Sequence, residues 1–239
     1  MKKMLVITLA LLFVASVGFS QTMYWSVYHF EVKPGQDAAV ADAFDRFFSS
    51  ETGEKLPYAA FGSNMFSSSK DKWTHELLFA SQSKEDFSKM YSGMLQQSVD
   101  FALLGQSMDK SIHSVASYLG KSLIGEPIPG NNYSTVYELS VTDPASYAAA
   151  FKEMRAGLMA KTGGKMGLDL HQFISGNEVG ATHVAVATAP SFEELLDFTD
   201  IVFSSEEYAT FAKKVNENRK ILRVFTTFTM KEYNLPEGM

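Results

Sequence analysis

The sequence contains no cysteine. This absence excludes disulfide bonds, a thiol nucleophile, thiolate ligands for a metal and a lipid-modified N-terminal cysteine. Stability therefore has to come from ordinary apolar cores. With 19 Phe and 10 Tyr in 239 residues, the chain has the aromatic content to fill such cores, which argues against a disordered protein.

Long apolar runs are also scarce. The run from Met4 to Val14 follows two lysines and is too short to cross a bilayer about 30 Å thick as a permanent helix. The small residues Gly18 and Ser20 stand where a signal peptidase prefers them. We therefore predict that residues 1–20 are a cleaved signal peptide. The mature protein is then exported to the periplasm or the medium, without a membrane anchor.

Basic patches are nearly absent. The formal net charge is −6, and most Lys and Arg residues are scattered along the chain. Nucleic-acid binding needs clustered cations, so we predict no nucleic-acid partner. The one local concentration is interpreted as a helix end and its solvated face. It comprises Lys213, Lys214, Arg219, Lys220 and Arg223.

The clearest pattern that is present is an internal repeat. The segment Tyr24–Val32 has a counterpart in Tyr133–Val141, with matching tyrosine, valine and hydroxyl positions. The period is too long for a solenoid but suits two copies of a small domain. We predict a tandem duplication, with the first repeat at 21–124, a Gly/Pro/Asn-rich linker at 125–132 and the second repeat at 133–239.

Both repeats predict the same order of elements. A strand is followed by a helix, a hairpin, a second helical region and a last strand, which we expect near Ile112–Leu119 and Ile221–Met230. The order β-α-β-β-α-β is that of a ferredoxin-like α+β unit, an antiparallel sheet with helices on one face. The other face needs a cover, and the second copy can supply it.

Strand alternation divides the first strand of each repeat into two faces. Phe30 and Val32, with Leu139 and Val141, are predicted to lie under the helices. The opposite face, where the two sheets could meet, carries Trp25, Val27, His29 and Glu31 in the first repeat and Ser134, Val136, Glu138 and Ser140 in the second.

Two short motifs add a family resemblance. Val32-Lys33-Pro34-Gly35 follows the first strand, and the helical stretch Ser205–Phe211 precedes the last one. With the repeated element order, they resemble the dimeric α+β barrel superfamily, which includes antibiotic-biosynthesis-type monooxygenases, NIPSNAP-like proteins and haem-handling enzymes. The resemblance implies two sheets closed face to face around a pocket, here within one chain. It carries no functional residue over to this sequence.

His75 and His183 are candidate site residues because each follows a threonine at the start of a return strand in its own repeat. One interpretation is a hydrogen-bonded strand histidine inherited from a common ancestor. The other is a pair facing each other across a pseudo-two-fold axis, as ligands of a metal or haem or as polar anchors in a pocket. No metal-binding spacing of histidines supports a metal site.

His29 and Glu31 share one strand face and form a second candidate group. If the sheets meet, Glu138 joins them in the barrel interior, where a buried Glu–His pair could act as acid and base. The alternative is that these residues lie at the solvated mouth of the barrel. Trp25 could line a pocket for a planar ligand or simply fill a core.

Three hypotheses for function remain at this point. The first is an exported protein that binds a small, largely apolar ligand in the barrel. The second is a cofactor-independent monooxygenase or a haem-binding enzyme, with haem suggested by the resemblance and by no motif. The third is an interaction protein with a filled barrel; a cavity between the sheets would favour the first two, and packed aromatic residues the third. Candidate ligand-binding residues are Trp25, His29, Glu31, His75, Glu138 and His183.

Overall fold

The structure, a computed structural model, describes residues 22–96, 98–176 and 180–236. The predicted signal peptide, residues 1–20, lies outside this part of the chain. The elements are β1 Tyr24–Val32, α1 Asp37–Phe48, β2 Tyr58–Phe66, β3 His75–Ser81, α2 Lys84–Leu95, α3 Val99–Ser111, β4 Ile112–Ile124, β5 Tyr133–Val141, α4 Pro144–Thr162, β6 Gly167–Ser175, β7 His183–Ala189, α5 Phe192–Ser204, α6 Glu206–Val215 and β8 Arg219–Tyr233.

The strands close into one barrel in the order β1-β3-β2-β8-β5-β7-β6-β4. Each neighbouring pair of strands in the barrel is antiparallel, so β1 and β5 run in the same direction. We call the end of the barrel where β1 and β5 finish the upper end. Both hairpin loops, β2–β3 and β6–β7, therefore lie at the upper end. The predicted α+β class and the closed barrel are confirmed.

The two halves of the chain are joined along two seams, β2–β8 and β4–β6. The last strand of each half is longer than we expected from the sequence. β4 continues to Ile124 because its lower part pairs with β6, and β8 spans Arg219–Tyr233 because it pairs with both β5 and β2. The partners of these extensions lie in the other half, where local sequence cannot indicate them.

Helices cover the outside of the barrel over two separate cores. Phe30 and Val32 lie in the core of the first half, and Leu139 and Val141 in that of the second, as strand alternation predicted. Helix starts also follow the sequence: Asp143 caps α4 by accepting a hydrogen bond from the Ser146 amide at 3.1 Å. In the described part of the chain, none of the helices is both long enough and apolar enough to span a membrane.

A third cluster fills the interior of the barrel, and Trp25 is its largest member. The Trp25 ring lies across Gly120, its direct partner on β4. A Cβ atom on Gly120 would stand 2.1 Å from Cζ2 of this ring, so the indole needs a glycine at that position. The interior is thus packed with side chains from both halves.

Candidate functional site

A buried network of charged residues lies in the upper half of the barrel. Arg223 on β8 stands opposite Glu138 on β5 and donates two hydrogen bonds to its carboxylate, at 3.0 Å from Nε and 2.6 Å from Nη2. Arg223 Nη1 also donates to Asp71 Oδ1 at 3.1 Å, and Nη2 to the Tyr118 hydroxyl at 3.3 Å. The side chains of Arg223, Glu138 and Asp71 are only 12%, 3% and 10% exposed.

Electrostatics favour the charged form of Arg223 in this network. Burial alone would lower the pKa of the Arg223 guanidinium, but the hydrogen bonds and charge of Glu138, with a smaller contribution from Tyr118, raise the pKa above its ordinary value. Two carboxylates surround one guanidinium, and the planar fork of arginine suits the bidentate contact with Glu138.

A histidine–carboxylate pair lies on the same interior surface. His29 on β1 stands opposite Glu76 on β3, and its Nε2 donates to Glu76 Oε2 across 3.2 Å. This bond favours the tautomer with hydrogen on Nε2 and leaves Nδ1 as the proton acceptor. His29 Nδ1 is buried and has no hydrogen-bond partner among the described residues. The pair is arranged as a general base oriented by a carboxylate.

Trp73, from the β2–β3 loop, closes over this histidine. Its ring stacks on His29 with centroids 3.9 Å apart and an interplanar angle of 10°, and it meets Phe225 edge-on at 5.2 Å. Trp73 is only 2% exposed. Its indole Nε1 is buried without a hydrogen-bond partner in the described part of the chain. A buried donor without a partner costs about 1–3 kcal/mol of stability, so the buried position of this ring is unfavourable for its N–H group.

Aromatic rings continue from this point down the barrel. Tyr118 contacts His29 at 5.2 Å and Phe173 at 5.8 Å, and Trp25 contacts Phe173 at 5.7 Å and His171 at 5.8 Å, as measured between ring centroids. These rings occupy the space where the resemblance implied a pocket. The interior is therefore filled by side chains, and two shallow grooves of about 420 and 300 Å³ lie outside the barrel, along α1–α3 and α4–α6.

The lower half of the barrel contains a second buried carboxyl group. Asp169 on β6 is 6% exposed, and burial raises its pKa to about 7, against the opposing charge of Arg155. Its Oδ1 accepts no hydrogen bond from the described residues and lies 3.8 Å from Arg155 Nη2. A Cβ on Gly125 would stand 1.9 Å from the same oxygen, so the chain after β4 packs directly on this carboxyl.

The structure brings together three of the six predicted site residues in the interior and places a fourth at its rim. His29 and Glu138 line the upper half and Trp25 the lower. Glu31 is half-buried on the same strand face as His29, two residues further toward the upper end. Within the described ranges, Glu31 has no hydrogen bond or ion pair to His29 or Glu138, so the expected three-residue cluster does not form.

His75 and His183 do not line the barrel interior, so they do not form the facing pair that one of the two interpretations required. His75 stands opposite Phe30, and His183 opposite Leu139, which both face the helices. Each histidine is therefore on the outer face of the sheet, in a separate core. Strand register decides this: Glu76 and Val184, the next residue along each strand, face inward instead.

The occurrence of a Thr-His motif in both halves of the chain has a structural explanation. Thr74 Oγ1 accepts a hydrogen bond from the Val32 amide at 2.9 Å and lies 2.9 Å from His75 Nδ1. In the second half, Thr182 Oγ1 accepts from the Val141 amide at 3.0 Å and lies 2.8 Å from His183 Nδ1. Each motif fixes a return strand to the end of the first strand of its half.

Replacing both His75 and His183 with Gln is expected to lower the free energy of unfolding by about 1–2 kcal/mol per site, because packed rings and buried hydrogen bonds are lost. Burial lowers the pKa of both histidines. Wild-type stability should therefore decrease as the pH falls below about 6.5, and the variant should lose part of this dependence. Urea denaturation at several pH values measures both effects, and an unchanged midpoint would contradict the structural role.

Arg223 is the functional residue that sequence reasoning misplaced. We interpreted it as part of a solvated basic cluster, but it points into the barrel, whereas Lys220 is exposed. Asp71, Glu76 and Tyr118 were not recognised either. A usable signal was that Arg223 shares one face of β8 with Phe225 and Thr227, since an arginine on a buried strand face needs an acidic partner.

The residues present do not fit a haem group. The unpaired ring nitrogens of His171 and His183 are both buried, and each ring packs against an aromatic neighbour, Trp25 and Tyr147 respectively. Nε2 of His29 is already bonded to Glu76, and its ring face is covered by Trp73. An axial ligand needs a nitrogen that opens onto space for a porphyrin, and these contacts take up that space.

The closed barrel defines the fold of the protein. The chain has the fold of the dimeric α+β barrel superfamily, with both ferredoxin-like units supplied by one polypeptide. No family model matches the sequence, and no curated protein sequence matches it either. The relationship is therefore one of fold alone.

Solved structures of several proteins share this architecture over nearly the whole chain. A monooxygenase-like protein from Fusobacterium nucleatum is 12% identical with a TM-score of 0.60, covering 90% of this chain and 95% of that one. An anthrone oxidase-like protein is 12% identical with a TM-score of 0.57, covering 92% and 97%. A chlorite dismutase-like protein is 10% identical with a TM-score of 0.52, covering 88% and 96%.

Proposed function

We propose that this protein is exported and binds a small molecule in the upper half of its barrel. The observation that carries the proposal is the buried network of Arg223, Glu138 and Asp71 inside an aromatic interior. Burying charges is expensive, and apolar residues of similar volume would often serve stability equally well. Buried ionisable groups in a shaped interior are typical of functional sites.

Unpaired ring nitrogens support the same proposal. His29 Nδ1 and Trp73 Nε1 are both buried in the upper half without a partner among the described residues. Native interiors leave few such groups, and each one calls for a water molecule, a ligand or a functional role. A ligand with a planar ring and polar substituents would meet both the aromatic walls and these nitrogens.

An enzymatic role is the second candidate, and the His29–Glu76 pair favours it. A base oriented by a carboxylate can remove a proton from an acidic C–H or phenol, and the neighbouring Arg223 can stabilise the resulting anion. The monooxygenase-like and anthrone oxidase-like neighbours have the same fold. For an activated CH₂ group, O₂ would then oxidise the carbon to C=O, with one oxygen atom retained and the other released as water.

Native mass spectrometry of the mature protein, purified from a periplasmic fraction and incubated with a library of small aromatic compounds, tests the proposal. We expect a 1:1 complex. The variant Ala116→Leu should not form this complex. Ala116 stands opposite His29, and a leucine side chain there would add bulk where the ligand has to lie. Ala102→Leu, at an exposed position on α3, is the matched control and should bind normally.

The same experiment separates the candidates. A compound recovered unchanged supports binding alone. A product that carries one additional oxygen and has lost two hydrogens supports the enzyme, and His29→Gln should then reduce its formation by about 10²-fold or more. If no compound binds to the wild type or to Ala102→Leu, the hypothesis of an interaction protein with a filled barrel replaces both the binding protein and the enzyme. Retention of the precursor in the cytoplasm would contradict export separately.

A further inference from the structure

We infer that the β2–β3 loop occupies the binding site as an internal substitute for the ligand, and that the ligand is an aromatic carboxylate. This inference rests on the proposed function. We call residues 67–74 the capping loop. It delivers two groups to the barrel, the indole of Trp73 and the carboxylate of Asp71, which are two residues apart in the chain.

The indole of the capping loop sits in a slot made by the barrel. One ring face lies parallel to His29 at 3.9 Å, and Phe225 meets it edge-on at 5.2 Å. A slot with a parallel ring on one side and a perpendicular ring on another fits a flat aromatic group. The walls belong to strands β1 and β8, whereas the ring that fills the slot belongs to a loop.

The carboxylate of the capping loop reaches a cation that already has a partner. Arg223 is neutralised by the bidentate contact with Glu138, which stands directly opposite it on β5. Asp71 adds a second carboxylate through Nη1. Since the strands supply one neutral pair without the loop, the Nη1 position is the site where an external carboxylate can replace Asp71.

The end of the capping loop is anchored to the barrel, because Thr74 Oγ1 accepts a hydrogen bond from the Val32 amide at 2.9 Å and the Trp73 carbonyl accepts one from Asn64 Nδ2 at 3.2 Å. The movement that admits a ligand is therefore confined to the side chains of Trp73 and Asp71 and to the residues before them.

Ser68, Ser69 and Lys70 are exposed, and within the loop the Ser68 amide donates to Asp71 Oδ2 at 3.2 Å. The indole Nε1 of Trp73 is left unpaired in the closed position. When the ring is released into solvent, its N–H group can donate a hydrogen bond to water. This bond offsets part of the free-energy cost of replacing the ring with a ligand.

The second half of the chain offers a comparison. The residue that corresponds to Trp73, immediately before the Thr-His motif, is Ala181. Aromatic insertion is therefore a feature of one loop only, and the structural role of the hairpin does not require it. A ring at this position fits a role specific to the upper site.

Isothermal titration calorimetry with indole-3-acetate and phenylacetate on the mature protein tests the inference. The double variant Asp71→Asn/Trp73→Ala empties the slot, so we expect it to bind these carboxylates at least 10-fold more tightly than the wild type does. The single variant Asp71→Asn keeps the ring and should show a smaller gain, about 3-fold. Ser69→Ala, in the exposed part of the same loop, should match the wild type.

Two further measurements sharpen the result. Unsubstituted indole, which lacks the carboxylate, should bind at least 10-fold more weakly than indole-3-acetate to the double variant. In a Trp25→Phe background, Trp73 is the remaining tryptophan, and its emission should shift to longer wavelength as indole-free phenylacetate displaces the ring into water. Circular dichroism checks that each variant is folded, and Asp71→Asn provides the test if the double variant is not.

Equal affinity of the wild type and both variants for the carboxylates would overturn the inference, and so would equal binding of indole and indole-3-acetate. In those cases a compound found in the library experiment would leave the proposed function standing with a different ligand class. If the library yields no compound and the emptied double variant also binds none of the carboxylates, the proposed function fails together with the inference.

Discussion

Replacing Arg223 with methionine is expected to lower the free energy of unfolding by about 3–5 kcal/mol, the range for removal of one partner from a buried ion pair. Glu138 is 3% exposed and would lose the guanidinium that now binds both of its oxygens. Asp71 would lose its cation as well. Urea denaturation of the mature protein at neutral pH, with wild type in parallel, measures the difference.

A double variant shows whether the cost arises from the unpaired charge. Arg223→Met combined with Glu138→Gln removes both charges of the β5–β8 pair, and we expect it to recover more than half of the lost stability. Arg223→Lys keeps the charge but not the bidentate geometry, so its stability should lie between those of the wild type and the methionine variant. A loss below about 1 kcal/mol in Arg223→Met would mean that the network is effectively solvated.

Much of the fold could be predicted because its information is local. Side chains at alternate positions of the strand Tyr24–Val32 and of its counterpart Tyr133–Val141 face opposite sides, and the residues predicted to lie under the helices do so. Helix spacing and N-terminal capping residues act within a few positions of one another. The repeated element order and the need to cover an apolar sheet face indicated that the two sheets meet, and the family resemblance implied the closed barrel.

The candidate site was only partly predictable because it depends on register. His75 and Glu76 are neighbours in sequence, but they lie on opposite faces of β3, and only the pairing of His75 with Phe30 decides which one faces inward. The sequence drew attention to the histidine, whereas the structure assigns the interior to the glutamate. Arg223 is largely buried whereas Lys220 is exposed, and the register shift between their partner residues on β5 is not visible in the local sequence.

Contacts between distant segments account for the rest. Asp71 and Arg223 are far apart in the chain, and their ion pair exists because a hairpin loop of the first half bends over the strands of the second. No periodicity or short motif indicates such a contact. Trp73 illustrates the same point, since the sequence indicates an aromatic residue that lines a pocket or fills a core but not that its ring stacks on His29.

Separating the chain into residues 21–126 and 127–239 is expected to leave neither half as a stable monomer. Each half would lose both seams, β2–β8 and β4–β6, and would expose their backbone hydrogen-bonding groups at open sheet edges. The interior face, including Trp25, would also be exposed to water. We expect each half to be insoluble or to form a dimer that restores a closed barrel, as determined by size-exclusion chromatography with light scattering.

Co-expression of the two halves provides the positive control for this experiment. Because all contacts across the seams are non-covalent, the halves should co-purify as a 1:1 complex with the far-UV circular dichroism of the intact chain. The barrel interior takes Arg223 and Glu138 from the second half and Asp71 and His29 from the first, so small-molecule binding should appear only in the complex. A soluble monomeric half that unfolds cooperatively would contradict a barrel built jointly by the two halves.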